Sequence, residues 1–131
     1  MASPKELVAG IYQSFGKGDI PAILAALDEN MDWHWHGPKS IPFAGHHVGK
    51  AAVGKFFQAV GANAEVLAYE PREFLVGPDH VTVIGWQKIK ARPTGKIWEA
   101  HFCHVWSLKG GKAVRVHEYY DTAAVAEAFK K

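Results

Sequence analysis

The sequence holds a single cysteine, Cys103, so no internal disulfide can form and a reducing compartment is the expected setting. It has no apolar run of membrane-spanning length, and its first residues (Met1-Ala2-Ser3-Pro4-Lys5-Glu6) contain no apolar segment of a secretory signal. Both absences lead to the expectation of a cytoplasmic protein with no membrane partner. Charge of one sign is also scarce: 15 basic and 13 acidic residues are dispersed, with no basic stripe and no aromatic RNA-binding signature. Nucleic acid is therefore not an expected partner. No repeat, linker or low-complexity stretch interrupts the 131 residues, and residues 1–131 are expected to form one domain.

Aromatic residues are abundant by contrast: five Trp, four Tyr and seven Phe. Rings of that number either fill a core or line a site for a small, largely apolar organic ligand. The first half reads as helical. Ser3-Pro4-Lys5-Glu6 opens a helix with a cap, a first-turn proline and a capping-box glutamate, and Leu7, Val8, Ile11, Tyr12 and Phe15 follow at helical spacing. Asp19 starts a shorter helix with Ile20, Ile23, Leu24 and Leu27 on one face. A brief strand, Met31 to Trp35, precedes what reads as a long loop from Gly37 to Gly49. A third helix places Val53, Phe56, Phe57 and Val60 on a buried stripe.

The second half is strand-like, at about 64–76, 79–91, 96–108 and 112–120, with turns at Gly77-Pro78-Asp79, Arg92-Pro93-Thr94-Gly95 and Gly110-Gly111. Thr122 and Asp121 are both candidates to cap a last helix running through Val125 and Phe129. The pattern predicts an α+β fold, and long strands in a twisted sheet curl so as to leave a hollow beneath the helices.

Alternation sorts the strands into faces. Trp98, Ala100, Phe102, His104 and Trp106 are expected inward, as are Val81, Val83, Gly85, Gln87 and Ile89, and Val114, Val116, Glu118 and Tyr120. Three polar groups, Gln87, His104 and Glu118, thereby fall among apolar ones, where each must find partners or serve chemistry. The outer face carries Ile84, Trp86, Cys103, Val105 and Tyr119, an apolar patch that predicts a homodimer through that face.

Several pieces together resemble the SnoaL-like polyketide cyclases of the nuclear transport factor 2-like superfamily, which also holds ketosteroid isomerases and limonene-type epoxide hydrolases. They are Ile11-Tyr12 with Phe15, Gly18-Asp19-Ile20, Trp33, Ala44-Gly45 with Gly49, and Phe56-Phe57. Late in the chain His104-Val105-Trp106, Gly111-Lys112 and Glu118-Tyr119-Tyr120-Asp121 complete the set. The resemblance implies a cone-shaped fold in which a curved, mostly antiparallel sheet wraps N-terminal helices around a pocket. It implies cofactor-free acid/base chemistry, with Glu118 as the acid/base group, in place of the more usual Asp, and His104 beside it. Tyr12, Trp33, Trp35, Phe56, Gln87, Phe102, Trp106 and Tyr120 are the expected ligand-contacting residues. The epoxide-hydrolase Arg and Asp are replaced by Gly85 and Gln87, and the first strand lacks the isomerase carboxylate at Trp33-His34-Trp35-His36.

Blander readings stand beside these. Glu118 could pair with Arg115 or His117, His104 could be a satisfied core histidine, and Tyr12 could be core. His34 and His36 share a strand face, but with His46 and His47 they lack a zinc-site spacing, so no metal is expected. Gly45-His46-His47-Val48-Gly49-Lys50 is one residue short of a phosphate loop. A binding domain without catalysis remains the alternative function.

Overall fold

The computed structural model describes residues 2–131. Helix α1 (Pro4–Gly16) begins where Ser3 accepts a hydrogen bond from the Glu6 amide (3.2 Å), and it buries Val8, Ile11 and Tyr12. Asp19 caps α2 (Ile20–Ala25) by accepting from the Ala22 amide at 3.1 Å. Leu27, expected on the face of that helix, instead opens strand β1 (Leu27–Trp35), where it pairs with Ala113. The polar run Asp28-Glu29-Asn30 hid this first half of the strand from pattern reading.

A second difference lies in the stretch from Gly37 to Gly49. It contains an edge strand, β2 (Gly45–Val48), antiparallel to β1, with Trp33 opposite His47 and His34 opposite His46. A strand of four residues that begins at one positive-φ glycine, Gly45, and ends just before another, Gly49, is too short to show an alternation. Helix α3 (Lys50–Asn63) follows, burying Val53, Phe56 and Phe57 while Val60 is half-buried.

The long strands β3 (Ala64–Val76), β4 (His80–Ala91), β5 (Ile97–Lys109) and β6 (Lys112–Tyr120) form an antiparallel series, and Asp121 caps the last helix, α4 (Thr122–Phe129). The six-stranded order is β2-β1-β6-β5-β4-β3, with β1 and β6 parallel. Helices α1, α3 and α4 pack on one face of this sheet, and the buried apolar residues of both layers form one cluster.

Alternation holds along β4 and β5, whose inward residues are buried as expected: Val81, Val83, Gln87 and Ile89, then Trp98, Ala100, Phe102, His104 and Trp106. On β6 it fails at one point. Ser107 faces Arg115 while Leu108 faces Ala113, so Val114 is an extra residue in a bulge; Ala113 is buried in its place. Beyond the bulge Val116 and Glu118 point inward as expected. Two more irregularities, at Val66/Ala68 and Pro71/Glu73, bend β3 and turn Tyr69 and Phe74 toward the core cluster.

Gly85 marks the tightest crossing of the sheet. A Cβ there would overlap the Phe102 ring and lie 2.5 Å from the Glu70 carbonyl oxygen, which is backbone and cannot move aside cheaply. Gly85→Ala is expected to lower the unfolding free energy by about 2 kcal/mol, the scale of an overpacked core. Urea denaturation measures it, and an unchanged midpoint would contradict this packing.

Candidate functional site

The hollow between sheet and helices holds a cavity of about 70 Å³, room for several waters and about half the roughly 150 Å³ that accommodates a benzene ring. Its wall is aromatic, with Trp33 and Trp35 from β1, Phe56 and Phe57 from α3, and Trp98 and Trp106 from β5. Tyr12, Trp33, Trp35, Phe56, Gln87, His104, Trp106, Glu118 and Tyr120, all expected at the site, line it. Phe102 does not. It is buried behind the wall, stacked on His104 (ring centroids 4.3 Å) and on Tyr69 (5.0 Å). Alternation gives the face of a residue but not its depth, so a residue on the correct face became backing. Tyr69 itself lines the cavity and was missed, because the irregular pairing of β3 obscures which of its residues face in.

Glu118 sits in this wall, 6% exposed, with both carboxyl oxygens engaged. Trp33 Nε1 donates to Oε2 at 2.8 Å, and the Tyr120 hydroxyl donates to Oε1 at 3.0 Å. Strand pairing explains this placement: β1 and β6 run side by side with Trp33 opposite Val116 and Trp35 opposite Glu118. The expected alternative partners lie elsewhere. Arg115 donates to Ser107 Oγ (3.3 Å) and His117 bonds His36, both on the outer face.

His104 is satisfied at both ring nitrogens. Nδ1 lies 2.6 Å from the Tyr12 hydroxyl and Nε2 lies 2.8 Å from the Tyr120 hydroxyl. The proton positions follow from the ends of the chain. Trp106 Nε1 can only donate, and it donates to Tyr12 Oη at 3.0 Å. Tyr12 then donates to Nδ1, Nε2–H donates to Tyr120, and Tyr120 donates to the Glu118 carboxylate. With Glu118 ionised, the result is one directional chain from Trp106 to Glu118, with a neutral imidazole in the middle.

Burial sets the protonation of this chain. It raises the Glu118 carboxyl from 4.5 to about 7, against the pull of the Trp33 and Tyr120 donors, and lowers His104 from 6.5 to about 3. His104 Nε2 lies 3.3 Å from Glu118 Oε1, yet the pair is not an ion pair, because burial disfavours both charged forms. Burial likewise raises the hydroxyls of Tyr12, Tyr69 and Tyr120 well above the usual tyrosine range, so all three stay neutral.

Gln87 is oriented by the same logic. Trp98 Nε1 donates to its Oε1 at 2.8 Å, so its NH2 stands on the other side as a donor in the cavity lining. Among the described residues that line the cavity, Glu118 and His104 are joined by no second histidine or carboxylate, too few ligands for a metal. Asp121 lies outside it, capping α4 through the Ala124 amide at 3.2 Å.

The model of the SnoaL-like domain family matches residues 8–116, and the chain belongs to that family. Its fold is the nuclear transport factor 2-like α+β fold, as the sequence resemblance implied. An NTF2-like protein from Burkholderia xenovorans is 28% identical, with a TM-score of 0.89 over 97% of this chain and 95% of that one. TerC, co-crystallized with polyporic acid, is 27% identical, with a TM-score of 0.83 over 98% of this chain and 100% of its own. A protein assigned as a SnoaL-like polyketide cyclase from Mesorhizobium loti shares the fold at 17% identity, with a TM-score of 0.74 over 91% and 100% of the two chains. Among curated proteins none matches significantly. The family match stops two residues before Glu118, so the case for that carboxyl rests on its surroundings.

The two buried groups titrate in opposite senses. Glu118 holds its proton in the fold up to about 7, so its contribution to stability falls as pH rises from 4.5 to 7, by about 3 kcal/mol in all. His104 resists protonation, so its contribution is lost as pH falls from 6.5 toward 3, and the two slopes oppose each other between 4.5 and 6.5. Glu118→Gln removes one of them. Its stability relative to the parent is expected to rise by about 3 kcal/mol between pH 4.5 and 7, read from urea unfolding at each pH. A pH-independent difference would contradict the burial of an ionisable carboxyl here.

Proposed function

We propose that the protein binds a small carbonyl compound in the aromatic cavity and moves a proton on it, without a cofactor, with Glu118 as the base. The observation that carries this reading is a carboxyl held near neutrality in an apolar wall, where a base for weakly acidic C–H bonds has to sit. The ionised carboxylate takes a proton from the carbon next to the carbonyl. The electron pair of that C–H bond moves onto the carbonyl oxygen as an enolate, and the Gln87 NH2 is the donor that meets it. Return of the proton to a different carbon is an isomerisation; attack of the enolate carbon on a second carbonyl puts that carbonyl's π electrons on its oxygen, which takes the proton back from Glu118 to complete an aldol ring closure. One fold relative named as a polyketide cyclase and two named as isomerases are in keeping with this class of reaction.

His104 acts as a positioning residue in this scheme, since both of its nitrogens are occupied by tyrosine hydroxyls. It holds the Tyr120 hydroxyl, which in turn aims at Glu118. The cavity volume favours the smallest ketones; a single ring requires the aromatic wall to give a little, and a fused polycycle far more. A second reading, ligand binding without turnover, is favoured by one feature: Glu118 already has a donor on each oxygen.

Nuclear magnetic resonance of single-ring enolisable ketones in deuterium oxide separates the two. The enzyme reading predicts catalysed exchange of the α-hydrogens, with kcat/KM rising through a pH of about 7 as Glu118 loses its proton. Glu118→Gln is expected to slow exchange by about 10²–10⁴-fold at unchanged ligand affinity. Ketones that bind without exchange establish the binder instead.

We further propose that a second copy packs on the outer sheet face. Ile84, Trp86, Cys103 and Val105 are half-buried there and Tyr119 is 45% exposed, an apolar area beyond what isolated surface residues contribute. Sedimentation at micromolar concentration is expected to give a dimer that Ile84→Lys converts to monomer; a monomeric parent chain would contradict it.

A further inference from the structure

Four histidines gather on the outer face of the sheet, away from the cavity. His34 lies in β1 and His36 one residue beyond its end, where the His36 amide still donates to the Glu118 carbonyl at 3.1 Å, so the two project from the same side. In the parallel neighbour β6, His117 is the direct partner of His34, and in β2 His46 is its partner on the other side. The register therefore sets a row of imidazoles across three strands, with His36 one step along. Their rings are close: 3.7 Å between the centroids of His34 and His36, 5.0 Å between His36 and His117, and 4.8 Å between His34 and His46.

What matters for chemistry is the nitrogens. One ring nitrogen from each of His34, His36 and His117 falls within 4.8 Å of the others, and His36 Nε2 lies 2.8 Å from His117 Nδ1. A zinc ion bound at about 2.0–2.1 Å to each nitrogen in a tetrahedron separates its ligands by about 3.3 Å. That spacing falls between the 2.8 Å of the His36–His117 pair and the 4.8 Å that bounds all three nitrogens. Strand backbones hold two of the three, so little chain has to be ordered on binding. A carboxylate–histidine pair lies alongside, since Asp32 is hydrogen-bonded to His46, whose ring stacks on His34. Arg115, the cation two residues before His117, is engaged with Ser107.

We propose that His34, His36 and His117 form a binding site for one divalent transition-metal ion per chain, of the zinc class, with water in the fourth position. Imidazole nitrogens suit zinc, cobalt, nickel and copper and do not suit magnesium or calcium. The end of β1 and the residue after it offer only the pair His34 and His36, and the third ligand arrives from the far end of the chain. The site is therefore a product of the fold and is separate from the cavity chemistry proposed above.

The test titrates the full-length protein, first stripped of metal, with zinc chloride by calorimetry and with cobalt chloride by visible absorption. Saturation at one ion per chain is expected, together with the d–d bands of tetrahedral cobalt. His36→Ala and His117→Gln, each checked for folding by circular dichroism, are expected to weaken zinc binding by more than about 100-fold, beyond the loss of an outer-sphere partner. His80→Ala, at an exposed histidine beside the turn that precedes β4, is expected to leave it unchanged. Absence of saturable binding by the parent chain would overturn the proposal, and so would equal weakening by His80→Ala or one ion shared between two chains. The parent titration decides the question even if a variant fails to fold.

Discussion

A carboxyl group buried in an aromatic wall is the constraint around which this structure is arranged. Left without partners, Glu118 would cost several kcal/mol in either protonation state. It is instead met by a donor on each oxygen, one from β1 and one from its own strand two residues on. Those donors are themselves fixed. Trp35 stacks on Tyr120 at 4.8 Å, Trp33 packs edge-on against Trp106 at 5.4 Å, and His104 holds the Tyr120 hydroxyl from the opposite side. The hydrogen-bond chain then continues through Tyr12 to Trp106 and ends at a group that can only donate. Among the described residues no buried side-chain polar atom is left without a partner, which is the condition under which polar groups are tolerated in such a wall.

The same arrangement links fold to chemistry. Burial opposes charge on both Glu118 and His104, but it acts on an acid in one case and a base in the other. The acid is brought to the pH at which it can take and return a proton. The base is driven so far down that it stays neutral and serves as a hydrogen-bond relay. Two titratable groups in contact thus receive different tasks from a single physical cause. The bulge at Val114 belongs to this logic, since it resets the alternation of β6 while Glu118 remains on the side of the helices.

Much of this was legible in the sequence because long strands with strict alternation leave little freedom. The faces of β4 and β5, and the presence of Gln87, His104 and Glu118 among apolar neighbours, follow from a period of two. Misreadings arose where local pattern and tertiary pairing part company. Leu27 suits a helix face but was claimed by Ala113 across the sheet, and Gly45–Val48 became a strand only because β1 offered an edge. Phe102 faces inward but lies behind Tyr69 and His104, a matter of depth that no alternation encodes. The histidine cluster was half visible, as His34 and His36. Its third member depends on β1 and β6 being neighbours, a pairing between residues 83 to 86 positions apart that no local window contains.

The account rests on one property of one side chain, the proton affinity of the Glu118 carboxyl. Carbon-13 resonance of the glutamate side-chain carboxyls, with Glu118 assigned by its loss in Glu118→Gln, reads it directly. The structure predicts a single carboxyl titrating at about 7, well apart from the exposed glutamates. A Glu118 signal that titrates near the ordinary 4.5 would mean that the carboxyl is hydrated, and neither the closed hydrogen-bond chain nor a base at that position would stand.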